Sequence, residues 1–231
     1  MDSTAISRDN CKEQVAEVSV FLFLIIPSMA LSFLAIHQGT LSFVLVAISA
    51  ILRDLALVSL ILFFIWRNME AVTSIGWTFK NSSREASIGI LLYVPFFFGT
   101  GLLERGLQAI GLSVPSTPLP SFLAARGRVE FLLAFVLVVI VALAEETIFR
   151  GYLLLRFRAV TANRTVAVLL SAAIFSLGHG YEGSAGVVTV GVMGLVFAAI
   201  YLWRKSLTAV VLMHFLQDFI GIILVPLLGK G

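Results

Sequence analysis

Residues 131–150 read FLLAFVLVVIVALAEETIFR: fourteen apolar positions in succession, then Glu145 and Glu146, then Arg150. An apolar run that continues to about 20 residues is the mark of a helix that crosses a bilayer. The rest of the chain agrees with that reading. Of its 231 residues 59% are hydrophobic and only 13% charged, with a mean hydropathy of +1.04. A soluble domain is about 45–50% apolar and about a quarter charged, so lipid must be the solvent for most of this chain.

Working outward, seven apolar segments emerge: 18–36, 41–66, 88–103, 131–155, 165–179, 185–203 and 207–228. The expected fold is all-α, a polytopic transmembrane helical bundle of about seven spans, with six to eight as the bounds. The segment 88–103 is short and carries Pro95, and 165–179 is short and polar at its far end. Pro115, Pro118 and Pro120 break the stretch 106–128, which reads as a loop or surface-lying segment. Residues 76–80, with Trp77 and Phe79, resemble an interfacial stretch. The chain divides into 1–130, the N-terminal helices with their Pro-rich loop, and 131–228.

The N-terminus MDSTAISRDNCKEQ lacks the basic, then apolar, then small-residue order of a cleaved signal peptide. Cys11 is the single cysteine, which excludes a disulfide framework and a Cys-based metal site. The net charge of +3 reflects cationic loops rather than nucleic-acid binding, because no basic patch is interleaved with aromatics. With seven spans, one side of the membrane holds Arg8, Lys12, Arg67, Lys80, Arg84, Arg156, Arg158, Arg164, Arg204 and Lys205. The other holds Arg105, Arg126, Arg128 and Lys230. The positive-inside rule then puts the N-terminus of this multi-pass protein in the cytoplasm.

Ionisable groups inside a span cost about 2.5–3.5 kcal/mol each at mid-bilayer on insertion scales, and function is the default reason to find them there. Here Glu145, Glu146 and Arg150 share one span, His179 ends the next, and His214 and Asp218 lie in the last. Glu146 and Arg150 are one turn apart and can pair, as can His214 and Asp218. Counted from the cytoplasmic helix ends, Glu145 lies about 16 Å deep, His179 about 21 Å, His214 about 11 Å and Asp218 about 17 Å. Four groups from three helices thus fall in one layer.

A carboxylate and an imidazole can hold and deprotonate a water, and a second imidazole can stabilise an oxyanion. The same residue types also suit zinc. Arg53 and Asp54 lie mid-span as well. Adjacent residues diverge by about 100° on a helix, so each is expected to contact another helix, as a structural pair or as part of a substrate path.

Three motifs carry a resemblance: Glu145-Glu146-Thr-Ile-Phe-Arg150, Phe175-Ser-Leu-Gly-His179 and His214-Phe-Leu-Gln-Asp218. In order and separation they resemble the CPBP family of CAAX proteases and bacteriocin-processing proteins, also called the Abi or type II CAAX protease family. The resemblance covers about 131–228, and Gly151-Tyr152 after Arg150 is typical of it too.

It implies an intramembrane endopeptidase with a four-helix catalytic core and a conical cavity. Glu145 and His179 would activate the water, His214 and Asp218 would form the oxyanion site, and Glu146 with Arg150 would hold it in shape. The glutamate mechanism so implied requires no cofactor. A metal-dependent version would use zinc on Glu145, His179 and His214. The family motif ends in Asn where this chain has Asp218. An Asn amide donates to an oxyanion and an ionised Asp does not, so Asp218 must be protonated, orient His214 or ligate a metal.

The implied partners are membrane lipid and a membrane-anchored protein or peptide substrate, with no nucleic acid. Two other readings stay open: a proton-coupled transporter that uses the Glu/His layer as a relay, or a non-proteolytic immunity or scaffold partner.

Overall fold

In the computed structural model, which describes residues 3–35, 42–115 and 120–229, every long apolar segment becomes a helix. The first two are α1 (Ser3–Ala35) and α2 (Phe43–Arg67), and α3 (Ser82–Ala109) follows. Then come α4 (Gly127–Glu146), α5 (Leu154–Thr161), α6 (Arg164–Leu177), α7 (Gly183–Arg204), α8 (Thr208–Asp218) and α9 (Val225–Leu228). A π-helical segment, Thr147–Leu153, joins α4 to α5, and a second, Phe219–Leu224, joins α8 to α9. Ile36, Leu41 and Pro118, which the sequence assigned to two span ends and to the Pro-rich loop, lie outside the described residues.

Among the described residues, five helical stretches are long and apolar enough to cross a membrane: Phe43–Arg67, Ser82–Ala109, Gly127–Thr161, Gly180–Arg204 and Thr208–Leu228. Their outer faces, and that of α1, leave large side chains such as Phe23, Leu91, Phe98 and Leu132 exposed. A soluble protein would not tolerate this much apolar surface; the chain is an integral membrane helical bundle. Two segments differ from their sequence reading. The short span expected at 88–103 is the middle of α3, which continues through Pro95 for 28 residues. The span expected at 165–179 is α6, only 14 residues or about 21 Å, less than the ~30 Å hydrocarbon core. It is followed by the turn Gly180–Glu182.

Packing follows helical periodicity. The buried residues of α2 are Phe43, Ala47, Asp54, Leu57, Ile61, Phe64 and Ile65, a stripe at spacings of three, four and seven laid along α4. One hydrophobic cluster joins Phe21 of α1, Phe64 of α2, Tyr152 of the first π segment and Phe197 of α7. A smaller one joins Phe43 and Ala47 to Ala134, Leu137 and Ile223.

Between α3 and α8 the backbones approach closely at Gly89. A Cβ there would stand 2.7 Å from the Ala209 carbonyl oxygen, and backbone cannot move aside as a side chain can. Gly89→Ala is therefore expected to cost about 1–3 kcal/mol, read as a lower unfolding temperature in detergent. Gly101→Ala, where nothing lies within 4 Å, is the control and leaves that temperature unchanged or slightly raised.

Arg156, assigned by the sequence to a cytoplasmic loop, is instead buried. Its Nε donates to Glu17 Oε2 at 3.2 Å and its Nη1 to Glu70 Oε1 at 2.8 Å. Tyr152 and Asn68 also donate to Glu17. This cluster clamps α1 to the end of α2 and to α5. An arginine beyond an apolar run reads as a loop charge, because its partners lie 86 and 139 residues away in sequence.

Candidate active site

The Glu145-Glu146 pair ends α4 where the backbone widens from α to π. Two local features accompany the widening. Ser171 of α6 donates its hydroxyl to the Phe149 carbonyl at 2.7 Å, satisfying one acceptor of the wider turn. Gly151 lets the Ile75 backbone press in, since a Cβ at Gly151 would lie 2.6 Å from the Ile75 oxygen. The second π segment begins immediately after Asp218. π-Helix is rare, well under 1% of residues, and concentrates at functional sites. Among the described residues it occurs twice, each time beside an intramembrane acid.

Glu146 is fully buried and is the hub. Its Oε1 accepts from Arg150 Nη1 at 3.0 Å and from His214 Nδ1 at 2.8 Å. With Nδ1 committed to that carboxylate, His214 Nε2 lies 3.5 Å from Asp218 Oδ2 and 3.8 Å from Glu145 Oε2. The Arg150 guanidinium is held over the Phe175 ring at 4.2 Å and near the Phe197 ring at 5.2 Å, cation–π contacts that are strengthened by desolvation. Phe175 therefore touches the Glu146–Arg150 pair from one side, while its ring centroid lies 5.1 Å from that of His179 and 6.0 Å from that of His214.

The two glutamates differ in environment although they are adjacent. Oε2 of each lacks a hydrogen-bond partner among the described residues, but Glu146 Oε1 accepts two hydrogen bonds, whereas Glu145 is only partly buried and has the 3.8 Å approach to His214. His179 Nδ1 lies 3.2 Å from the Phe175 carbonyl. A carbonyl only accepts, so Nδ1 carries the proton and Nε2 is the basic nitrogen. Among the described residues no hydrogen bond joins Glu145 to His179. The structure thus brings Glu145, Glu146, Arg150, His214 and Asp218 into one connected group, with His179 attached through Phe175.

Arg53 and Asp54 correct the sequence expectation: they bridge each other. Arg53 Nε and Nη2 both lie 2.8 Å from Asp54 Oδ1. The arginine chain is long enough to fold back across the 100° between neighbouring residues. Trp77, read as interfacial, donates its indole N–H to Thr147 at 3.0 Å, directly after Glu146. Only chain-distant packing could have revealed this contact.

An apolar groove of about 430 Å³ opens beside Thr147, lined among others by Trp77, Val139, Leu143, Val211 and Phe215. As for a metal, among the described residues no three His, Cys, Asp or Glu side chains stand where they could hold one. Glu145, His179 and His214 as placed do not make a ligand set.

Comparison with known proteins bears on this geometry. Residues 127–220 match the family model of the Rce1-like type II CAAX prenyl endopeptidases, in agreement with the resemblance carried by the three motifs. The match runs from the start of α4 into the second π segment and so includes every motif residue. No curated protein and no solved structure matches the chain.

Proposed function

We propose, from the match of residues 127–220 to the Rce1-like family, that this protein is an intramembrane endopeptidase of CAAX type. On this reading Glu145 and His179 activate the attacking water. One observation carries the assignment: of the two adjacent glutamates, Glu146 is fully buried and engaged by both Arg150 and His214, whereas Glu145 is partly exposed and, among the described residues, makes no polar contact closer than the 3.8 Å approach to His214.

Glu145 takes a proton from water as the water oxygen bonds to the scissile carbonyl carbon. The carbonyl oxygen becomes an oxyanion. An imidazolium His214 donates from both nitrogens: Glu146 takes Nδ1–H, and Nε2–H turns to the oxyanion. Asp218, 3.5 Å from that Nε2, orients the ring. When the tetrahedral carbon collapses, the C–N bond breaks and the proton on Glu145 passes to the departing amine. Arg150 holds Glu146 in place throughout and touches no reacting atom. The apolar groove beside Thr147 offers a substrate's hydrocarbon chain a place next to this chemistry.

The test is cleavage of membrane-anchored peptides, prenylated and unmodified, by the purified protein in detergent. Wild type is expected to cut, and His179→Ala to lose about 10²–10⁴-fold in rate. Activity that survives chelator supports the glutamate mechanism. Activity abolished by chelator and restored by zinc would replace it with a metal mechanism. Wild-type function that persists in cells carrying Glu145→Ala would remove the enzyme reading altogether.

A further inference from the structure

The indole of Trp77 forms part of the wall of the apolar groove, and its N–H donates to the Thr147 hydroxyl at 3.0 Å. The hydrolytic steps make no use of that hydrogen bond. Trp77 belongs to the connection between α2 and α3, just after the 3-10 turn Val72–Ile75. Ile75 and Gly76 of this connection are buried, and the Gly76 carbonyl accepts from the Leu207 N–H at 3.0 Å. Gly76 holds a left-handed φ of 84° against the Tyr201 ring, into which a Cβ would run. The connection is thereby pinned to α7 and to the start of α8 and acts as a wedge.

The wedge meets the first π segment twice, with the Ile75 oxygen against Gly151 and the Trp77 indole on Thr147. These two residues are four apart and lie on one face of the helix, so the wedge braces the widened turn along that face. Phe79, 80% exposed, is the aromatic of this connection that meets lipid.

Proton directions tie the brace to the glutamates. An indole nitrogen only donates, so the Thr147 oxygen accepts from Trp77 and the hydroxyl proton is left for the Leu143 carbonyl, 2.6 Å away. The same carbonyl takes the Thr147 backbone N–H. Thr147 thus closes, with two donors, the turn that contains Glu145 and Glu146. A hydroxyl bonded back to the carbonyl four residues earlier tends to bend a helix, and here the change from α to π begins at Thr147. Thr147 is 1% exposed, so bulk water does not compete for its hydroxyl.

We propose that Trp77 is a positioning residue for Glu145 and Glu146, holding through the Thr147 hydroxyl the turn that carries both carboxylates. The inference rests on the peptidase reading and adds to it a residue outside the three motifs and outside the matched 127–220. The indole touches no reacting atom. A catalytic group misplaced by about 1 Å loses on the order of 100-fold in rate, so one neutral hydrogen bond beside the glutamates weighs more in cleavage than in stability.

The experiment is a double-mutant cycle on the full chain in detergent. It is read as the single-turnover rate constant for a membrane-anchored peptide, with enzyme in saturating excess. A rate constant obtained this way does not fall when part of a preparation is unfolded. Trp77→Phe keeps an aromatic wall on the groove and removes the N–H, while Thr147→Val keeps the shape and removes the hydroxyl. Each single variant is expected to cleave about 10-fold more slowly than wild type. The double variant is also about 10-fold slower, because both changes break the same chain of hydrogen bonds. Thr147→Ser, which keeps the hydroxyl, recovers most of the rate that Thr147→Val loses.

Losses that multiply to about 100-fold in the double variant overturn the proposal, since the two residues then act independently. Trp77→Phe cleaving within about two-fold of wild type overturns it as well. Should Trp77→Phe fail to fold, the Thr147 variants decide. Thr147→Ser as slow as Thr147→Val removes the role of the hydroxyl, and that of Trp77 with it. Each of these results leaves the peptidase reading standing, because wild type still cuts. If wild type cuts no peptide, the peptidase reading fails and this proposal falls with it.

Discussion

Glu145→Gln is expected to lower the rate of peptide cleavage by about 10²–10⁴-fold while the protein unfolds at the wild-type temperature. The two halves of this result have separate structural causes. Glutamine matches the shape of glutamate but takes no proton from water, so the base is lost. Stability survives because Glu145 is the less committed of the two glutamates. It is partly buried where Glu146 is fully so, and its approach to His214 is a long 3.8 Å against the two hydrogen bonds that Glu146 accepts. Glu146→Gln should behave in the opposite way, losing stability first, because it leaves Arg150 buried without its counter-charge. Single-turnover cleavage beside thermal unfolding in detergent separates the two variants. If Glu145→Gln cuts within a few-fold of wild type, the water is activated elsewhere.

How far these contacts were legible in the sequence depended on the length scale of each. The pairing of Glu146 with Arg150 follows from i,i+4 spacing alone, and the structure makes it at 3.0 Å. The His214–Asp218 approach has the same origin. The common layer came from counting residues along apolar runs, because a spanning helix converts sequence position into depth. The π widening after Glu146 was not legible. It accompanies the Ser171 hydroxyl and the Ile75 backbone, and hydrophobic periodicity does not report which carbonyl a backbone N–H chooses. The Arg53–Asp54 bridge was misread because divergence of Cβ directions says little about a side chain as long as arginine. Arg156 escaped for a third reason: a cation at a helix end looks the same in sequence whether it meets solvent or an acid from the other end of the chain. In each miss the deciding partner lay on a different helix, or the deciding variable was side-chain reach.

Arg150→Ala is expected to cost about 3–5 kcal/mol, more than any other single change considered for this fold. The guanidinium is 1% exposed and Glu146 is fully buried, so removing the cation strands a carboxylate that solvent cannot reach. The loss extends beyond the ion pair. Arg150 also fills the space against Phe175 and Phe197, and Phe175 in turn positions His179 through its carbonyl at 3.2 Å. Truncation therefore opens a cavity at the point where the three motifs meet.

The direction of compensation distinguishes the charge from the packing. Arg150→Met combined with Glu146→Gln removes both charges and keeps most of the volume, and a buried pair replaced as a pair is often near neutral. The double variant should therefore unfold well above Arg150→Ala and above the sum of the two single changes, a coupling of about 0.5–3 kcal/mol in a double-mutant cycle. Strict additivity would mean that Glu146 and Arg150 do not act as a unit, and the positioning role given to Arg150 would have to be withdrawn. A recovered fold without recovered cleavage is the expected companion result. The amide that Glu146→Gln introduces still offers His214 an acceptor, but it no longer supplies the counter-charge that the proposed imidazolium pairs with.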